Sequence, residues 1–284
     1  MTVNNILVVG AGTMGRGIAQ AFAQGGFDVH LYDEVTGIAA GAIEKLQAGL
    51  AKVVAREKMS QQDADAIIAR IHIVENLALV AADAQFVIEA VVEDLAAKTA
   101  LFADLNDICP PDAIFATNTS SLSVTELGHA SGRPEAFIGL HFFNPAQIMK
   151  PVEIVVTADT SAETVETVEA LVAAIAKTPI HVTDSTGFVV NRLLIPMINE
   201  AVRLLEEGVA TAKDIDTAMK LGCGFPMGPL ELSDLIGNDI TLAAMRSLEA
   251  TFGSAKYRPA SLLEQMVAEG KLGRKSGEGF TDQH

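Results

Sequence analysis

The sequence predicts an α/β domain built on a mostly parallel sheet, followed by an all-α C-terminal domain. Three observations carry that reading. Short apolar runs rich in branched residues recur through the first two-thirds of the chain, separated by Ala-rich stretches of helical period. After Asp184-Ser185-Thr186-Gly187 those runs stop, and apolar residues recur about every 3.6 positions. The 284 residues also suit two unequal domains, placed at 1–184 and 185–284.

Taken in order, the strands read as residues 6–9, 29–32, 71–74, 86–90, 113–116, 137–140, 152–156 and 180–182. Strands that alternate with helices imply parallel pairing, with crossover helices on both faces of the sheet. Residues 39–69 stay helical for longer than one crossover requires. Met59-Ser60 offers a break, Ser60 suits a helix N-cap, and the stretch reads as a helical pair projecting from the domain. Beyond residue 184 the helices read as 188–207, 212–221, 229–252 and 261–269, with reversals at Gly222-Cys223-Gly224-Phe225-Pro226 and Met227-Gly228-Pro229.

Composition restricts the function classes. The net charge of −16 opposes nucleic acid and anionic membrane, which recruit basic surfaces, so neither is expected as a partner. An anionic ligand would need local cations or helix N-termini against that background. The longest apolar runs fall far short of the ~20 residues of a membrane-spanning helix. Cys109 and Cys223 are the only cysteines and form no CxxC pairing, so no disulfide framework or metal site is expected. The start, MTVNNILVVG, enters a strand directly with no leader-like segment, and a reducing cytoplasm is the expected location. No repeat or low-complexity tract interrupts the chain.

The first chemical motif is Gly10-Ala11-Gly12-Thr13-Met14-Gly15, after one strand and ahead of a helix. In that setting Gly10 allows a tight turn, Gly12 lets backbone amides approach a pyrophosphate, and Gly15 permits close helix–strand packing. Asp33 ends the second strand, where a carboxylate accepts bonds from the adenosine ribose. The combination points to a Rossmann-type NAD site. The bland alternative is a glycine turn that merely packs a helix on a sheet. A second motif is Gly139-Leu140-His141-Phe142-Phe143-Asn144-Pro145, which puts a histidine at a strand's carboxyl end, where ligands collect in such sheets. His141 could exchange a proton with a hydroxyl while hydride leaves the same carbon, and Glu153 in the next strand could fix its tautomer. On spacing alone a strand-end histidine serves equally well as a structural residue. His30, His72, His129, His181 and His284 lack comparable company.

Five segments together resemble the 3-hydroxyacyl-CoA dehydrogenase family: Asn118-Thr119-Ser120-Ser121-Leu122, His141 through Pro145, Asp184 through Arg192, Gly222 through Pro229, and Lys275-Ser276-Gly277-Glu278-Gly279-Phe280. The resemblance spans residues 6–280 and is strongest to the bacterial-type 3-hydroxybutyryl-CoA enzymes. It implies that His141 is the general base, that Glu153 orients it, and that Ser120 and Asn191 hold the 3-oxygen and thioester end of a 3-hydroxyacyl-CoA. It also implies contacts to the nicotinamide half of NAD from Glu93, Lys98, Asn118, Ser120, Asn144 and Lys275, and a homodimer formed through the helical domain. The apolar run Leu193-Leu194-Ile195-Pro196-Met197-Ile198 agrees with the last point. Asn191 lies beyond the domain boundary, so these roles would draw on both domains.

Each role has a structural rival. Ser120 and Asn191 could be helix caps, and Glu93 and Lys98 could be the acidic start and solvated face of a helix over 94–108. Lys52, Arg56 and Lys58, cations on the projecting helix, would meet the phosphates of CoA or simply face water. Two departures from the family pattern bear on the CoA end. Gly49 stands where relatives carry a serine, and no aromatic follows Phe280. The competing functions are a nucleotide-binding protein without chemistry and a dehydrogenase of a sugar acid or hydroxy acid on the same scaffold.

Overall fold

The computed structural model describes residues 3–281. The features expected at Asp282, Gln283 and His284 lie outside them. The chain divides into two compact units, residues 1–184 and 185–284.

The first unit is a layered α/β structure. Its strands are β1 (Asn5–Val9), β2 (Asp28–Tyr32), β3 (Ile71–Val74), β4 (Phe86–Glu89), β5 (Ile114–Thr117), β6 (Phe137–Phe142), β7 (Pro151–Val156) and β8 (Thr178–Thr183). They form one sheet in the order β3-β2-β1-β4-β5-β6-β7-β8. Every pairing is parallel except β6 with β7. Central strands β4 and β5 are buried on both faces and apolar up to their last residues, Glu89 and Thr117, whereas β8 at the edge is exposed or half-exposed along its whole length.

Helices α1 (Thr13–Gln24), α2 (Ile38–Ala55), α3 (Gln61–Ala69), α4 (Leu77–Ala81), α5 (Leu95–Ile108), α6 (Val124–Ala130) and α7 (Ala162–Ala174) cover the faces. On one face Phe22 of α1 packs against Phe86 and Phe142 at ring separations of 6.0 and 6.5 Å. On the other, Phe102 of α5 meets Phe115 and Phe137 at 5.8 and 4.8 Å. The pair α2 and α3 is joined where expected, with the Ser60 hydroxyl accepting from the amide of Asp63. α2 stops at Ala55, however, so only Lys52 is on the helix. Arg56 caps it and Lys58 sits in the following turn.

The second unit contains α8 (Val190–Glu206), α9 (Ala212–Cys223), α10 (Pro229–Ile236), α11 (Asn238–Phe252) and α12 (Ser261–Ala268). The single helix expected over 229–252 is two. Gly237 adopts φ +109°, outside the helical region, and the chain turns there before Asn238 donates its amide to the Leu272 carbonyl. At the other end of α10 the buried Asp216 carboxylate accepts from the amides of Leu230 and Glu231 and so holds the start of that helix. Burial pushes its pKa up, against the pull of those two bonds. Asp234 similarly holds the chain end, accepting from the amides of Phe280 and Thr281. Among the described residues no helix is long and apolar enough to cross a membrane.

Candidate active site

The glycine turn joins β1 to α1. Gly10 donates to the Tyr32 carbonyl at 2.8 Å and has φ +101°, and a Cβ there would sit 2.5 Å from the Ala90 carbonyl oxygen. A Cβ at Gly15 would collide with the carbonyl of Gly10, so the helix can approach β1 this closely only with glycine at that position. At Gly12 the space is open, which leaves a cradle where a phosphate can reach the backbone. α1 begins here with no side-chain cap and no acid in its first turn, so its amide dipoles are unopposed. The Asp33 carboxylate accepts from Ala11 N at 2.7 Å and from Val35 N at 3.0 Å, tying the turn to the end of β2. These residues fit a dinucleotide: glycines where its backbone must come close, a bare helix start for its phosphates, and an acid beside its ribose.

Further along the same edge lies an ionic network. Lys98 of α5 is 1% exposed, so the solvated-face reading of this residue is wrong. An ammonium removed from water costs several kcal/mol unless paired, and Lys98 has two partners, Glu89 Oε1 at 3.0 Å and Glu93 Oε2 at 2.9 Å. Asp94, next to Glu93, caps α5 by accepting from Ala97 N. Glu93 Oε1 gathers the serine segment: it accepts from Thr119 Oγ1 at 2.6 Å, Ser120 N at 2.8 Å and Ser121 Oγ at 3.1 Å, with Ser120 Oγ more distant at 3.4 Å. Burial works to raise the Glu93 pKa, but Lys98 and these bonds outweigh it and bring it down to about 2. Glu89 is fully enclosed. Burial raises its pKa, against the pull of Lys98 and Thr117. The sequence reading did not single out Glu89. Its only signal was an acid closing an apolar strand.

The imidazole of His141 lies near the end of β6. Because β7 runs antiparallel to β6, the register sets His141 directly opposite Glu153, and Nδ1 is 2.7 Å from Glu153 Oε2. His141 is 6% exposed and Glu153 0%, so the pair is shielded from water. The Phe143 ring lies against the imidazole at 4.6 Å. Asn118 accepts from Phe142 N at 3.0 Å and thereby binds the end of β5 to the end of β6. Asn144 is exposed in the loop that follows. Lys177, a residue the sequence reading missed, holds that loop from below by donating to the carbonyls of Ala146 and Met149, both at 2.7 Å.

The structure thus brings the glycine turn, Asp33, Glu93, Lys98, Asn118, Ser120, His141 and Glu153 into the first unit at the strands' carboxyl ends. Asn191 and Lys275 belong to the second unit. Asn191 sits in the first turn of α8, and Lys275 pairs with Asp239 at the start of α11, 2.6 Å away. Lys52, Arg56 and Lys58 are all exposed. No cluster of metal-ligating side chains occurs among the described residues.

What the first unit assembles along one sheet edge is the equipment for moving a hydride and a proton off one carbon, the defining trait of an NAD-dependent dehydrogenase. Comparison narrows the class. Residues 5–185 match the family described as 3-hydroxyacyl-CoA dehydrogenase, NAD binding domain, and residues 187–283 match its C-terminal domain. The chain belongs to the 3-hydroxyacyl-CoA dehydrogenase family. It is 45% identical over 277 residues to the 3-hydroxybutyryl-CoA dehydrogenase of Clostridioides difficile, covering 98% of each chain. It is 40% identical to the human mitochondrial hydroxyacyl-coenzyme A dehydrogenase, covering 98% of this chain and 90% of that one. The crystal structure of (S)-3-hydroxybutyryl-CoA dehydrogenase from Ralstonia eutropha superposes with a TM-score of 0.95 at 42% identity over the full length of both.

Proposed function

We propose that this protein interconverts (S)-3-hydroxybutyryl-CoA and acetoacetyl-CoA, with NAD(H) as the redox partner and His141 as the general base. The carrying observation is the buried His141–Glu153 bond of 2.7 Å at the strand ends that also hold the dinucleotide turn. NAD, when bound, supplies the hydride acceptor. With Nδ1 committed to Glu153, Nε2 is the nitrogen that takes the 3-hydroxyl proton, and the opposed carboxylate stabilises the imidazolium that results. In the reducing direction the same nitrogen returns the proton to the 3-oxygen. Ser120 Oγ is only loosely engaged by Glu93 at 3.4 Å, so its proton can be redirected to a substrate oxygen at small cost. Asn191 is assigned to the substrate, and Asn118, Asn144 and Lys275 to the nicotinamide half, on family likeness. Lys52, Arg56 and Lys58 offer exposed cations to the CoA phosphates. A cytoplasmic homodimer completes the reading.

The test is NADH consumption with acetoacetyl-CoA beside longer 3-ketoacyl-CoAs. Acetoacetyl-CoA should give the highest kcat/KM, and His141→Gln should lower kcat by a factor of the order of 10²–10⁴ while NADH still binds. Wild-type turnover in that variant would remove His141 from the mechanism. A clear preference for a longer acyl chain would overturn the substrate assignment.

A further inference from the structure

Glu89 has no part in the chemistry above, yet it is the most enclosed acid beside the cofactor cradle. It closes β4 at 0% exposure, paired in register with Val9 of β1 and Thr117 of β5. Between β1 and β4 the strand order turns back on itself, and dinucleotides cross a sheet edge at such a point. The groups that reach its carboxylate are donors: Val91 N at 2.7 Å, Thr117 Oγ1 at 2.7 Å and Lys98 Nζ at 3.0 Å. A set of donors suits an ionised carboxylate, which only accepts.

Lys98 carries one positive charge between two carboxylates, Glu89 and Glu93. The three groups together therefore hold one net negative charge, and its buried members are poorly screened by salt. The two redox forms of the cofactor differ at the nicotinamide ring, which is cationic when oxidised and neutral when reduced. A fixed negative charge beside that ring attracts the first form and has little hold on the second.

We propose that Glu89 is a positioning residue whose charge, acting through Lys98 and Glu93, biases the site toward the oxidised cofactor. The inference rests on the reading that the nicotinamide half lies against Glu93 and Lys98. A purely structural Glu89 would make a different prediction, because loosening the serine segment weakens both redox forms together. Loss of the charge weakens one more than the other.

The experiment measures Kd for NAD+ and for NADH by calorimetry on the full chain, in the wild type, Glu89→Gln and Thr117→Val. In Glu89→Gln the ratio of the NAD+ Kd to the NADH Kd should rise roughly threefold to tenfold, the size of one unit charge felt through partly polar protein. Thr117→Val, which deletes a bond to Glu89 and keeps its charge, should move both constants alike. An unchanged ratio in a folded Glu89→Gln protein overturns the inference. Should that variant not fold, the double replacement Glu89→Met with Thr117→Val removes the buried acid together with its hydroxyl partner and leaves the Lys98–Glu93 pair in place. Its ratio should rise by the same roughly threefold to tenfold, and an unchanged ratio would overturn the inference equally. Failure of the wild type to bind either dinucleotide would remove the cofactor-site reading itself, whereas binding with an unmoved ratio removes this inference alone.

Discussion

Replacing Glu153 by Gln keeps the shape of the side chain opposite His141 and deletes its charge. The bond at stake is 2.7 Å long between groups 6% and 0% exposed, so water cannot take over the lost interaction. A hydrogen bond to a charged group contributes about 1.5–3 kcal/mol. The amide oxygen of Gln can still accept from Nδ1, so much of the ring's orientation survives. The deficit then falls on the imidazolium that forms as the substrate proton arrives. Charged against the transition state, about 1.5–3 kcal/mol becomes a loss of roughly 10- to 150-fold in kcat. The assay is the initial rate of NADH formation at saturating NAD+ and 3-hydroxybutyryl-CoA, the direction in which the imidazolium forms, with a thermal melt and an NADH titration on the same protein. NADH affinity should hold, because the glycine turn and Asp33 lie on other strands. A folded variant whose kcat stays within about threefold of wild type would refute the electrostatic role and leave Glu153 a packing residue.

Three further outcomes follow from the same geometry. Asp33 should make kcat/KM for NADH exceed that for NADPH by at least about tenfold, or roughly 1.4 kcal/mol, because a 2′-phosphate would face its carboxylate with neither Lys nor Arg between residues 33 and 42. Asp33→Ala should narrow that gap, and equal efficiency with NADPH in the wild type would refute the ribose pocket. Neutralising Lys52, Arg56 and Lys58 together should raise KM for acetoacetyl-CoA and leave KM for NADH alone. Since exposed pairs contribute only about 0–1 kcal/mol each, the triple variant is needed, and an unmoved KM would return these cations to solvent. The third outcome concerns acid. The Glu93 pKa is lowered to about 2, so its stabilising bonds are intact above the ordinary carboxylate value of 4.5 and are lost as pH falls toward 2. Glu93→Gln should therefore flatten the fall in Tm across that acid window, and parallel Tm curves for the two proteins would refute the assignment.

The strands were legible because central parallel strands are buried on both faces and spell unbroken apolar runs, as Phe115 and Ala116 do at 0% exposure. His141 and Glu153 could be read as neighbours because they stand on successive strands joined by residues 143–150, His141 near the end of β6 and Glu153 near the start of β7. What escaped were facts of pairing and of chain ends. The break at Gly237 was hidden because one glycine does not disturb a 3.6-residue period on either side of it. The end of α2 at Ala55 was hidden because Lys52, Val53, Val54, Ala55, Arg56 and Lys58 are all compatible with continued helix. Lys98 looked like a surface cation because its partners are a strand end nine positions back and a loop acid five back, spacings that no helical rule connects. Lys177 lay further beyond reach, since its two acceptors are backbone carbonyls 28 and 31 residues away.

The reversed direction of β7 has a consequence for how the protein can change. In a ladder with His141 facing Glu153, side chains alternate faces with a period of two, so slipping β7 by a single position would send the carboxylate to the other side of the sheet. The dyad is therefore addressed by the weave of the sheet, while the chain between the strands, residues 143–150, lays Phe143 on the imidazole and gives Lys177 its two carbonyl footholds. Its exposed stretch at Ile148 and Met149 can be rewritten with the proton relay intact, as long as those footholds survive. Substrate tailoring in this scaffold has a ready place to happen there, beside the chemistry but outside the register that defines it.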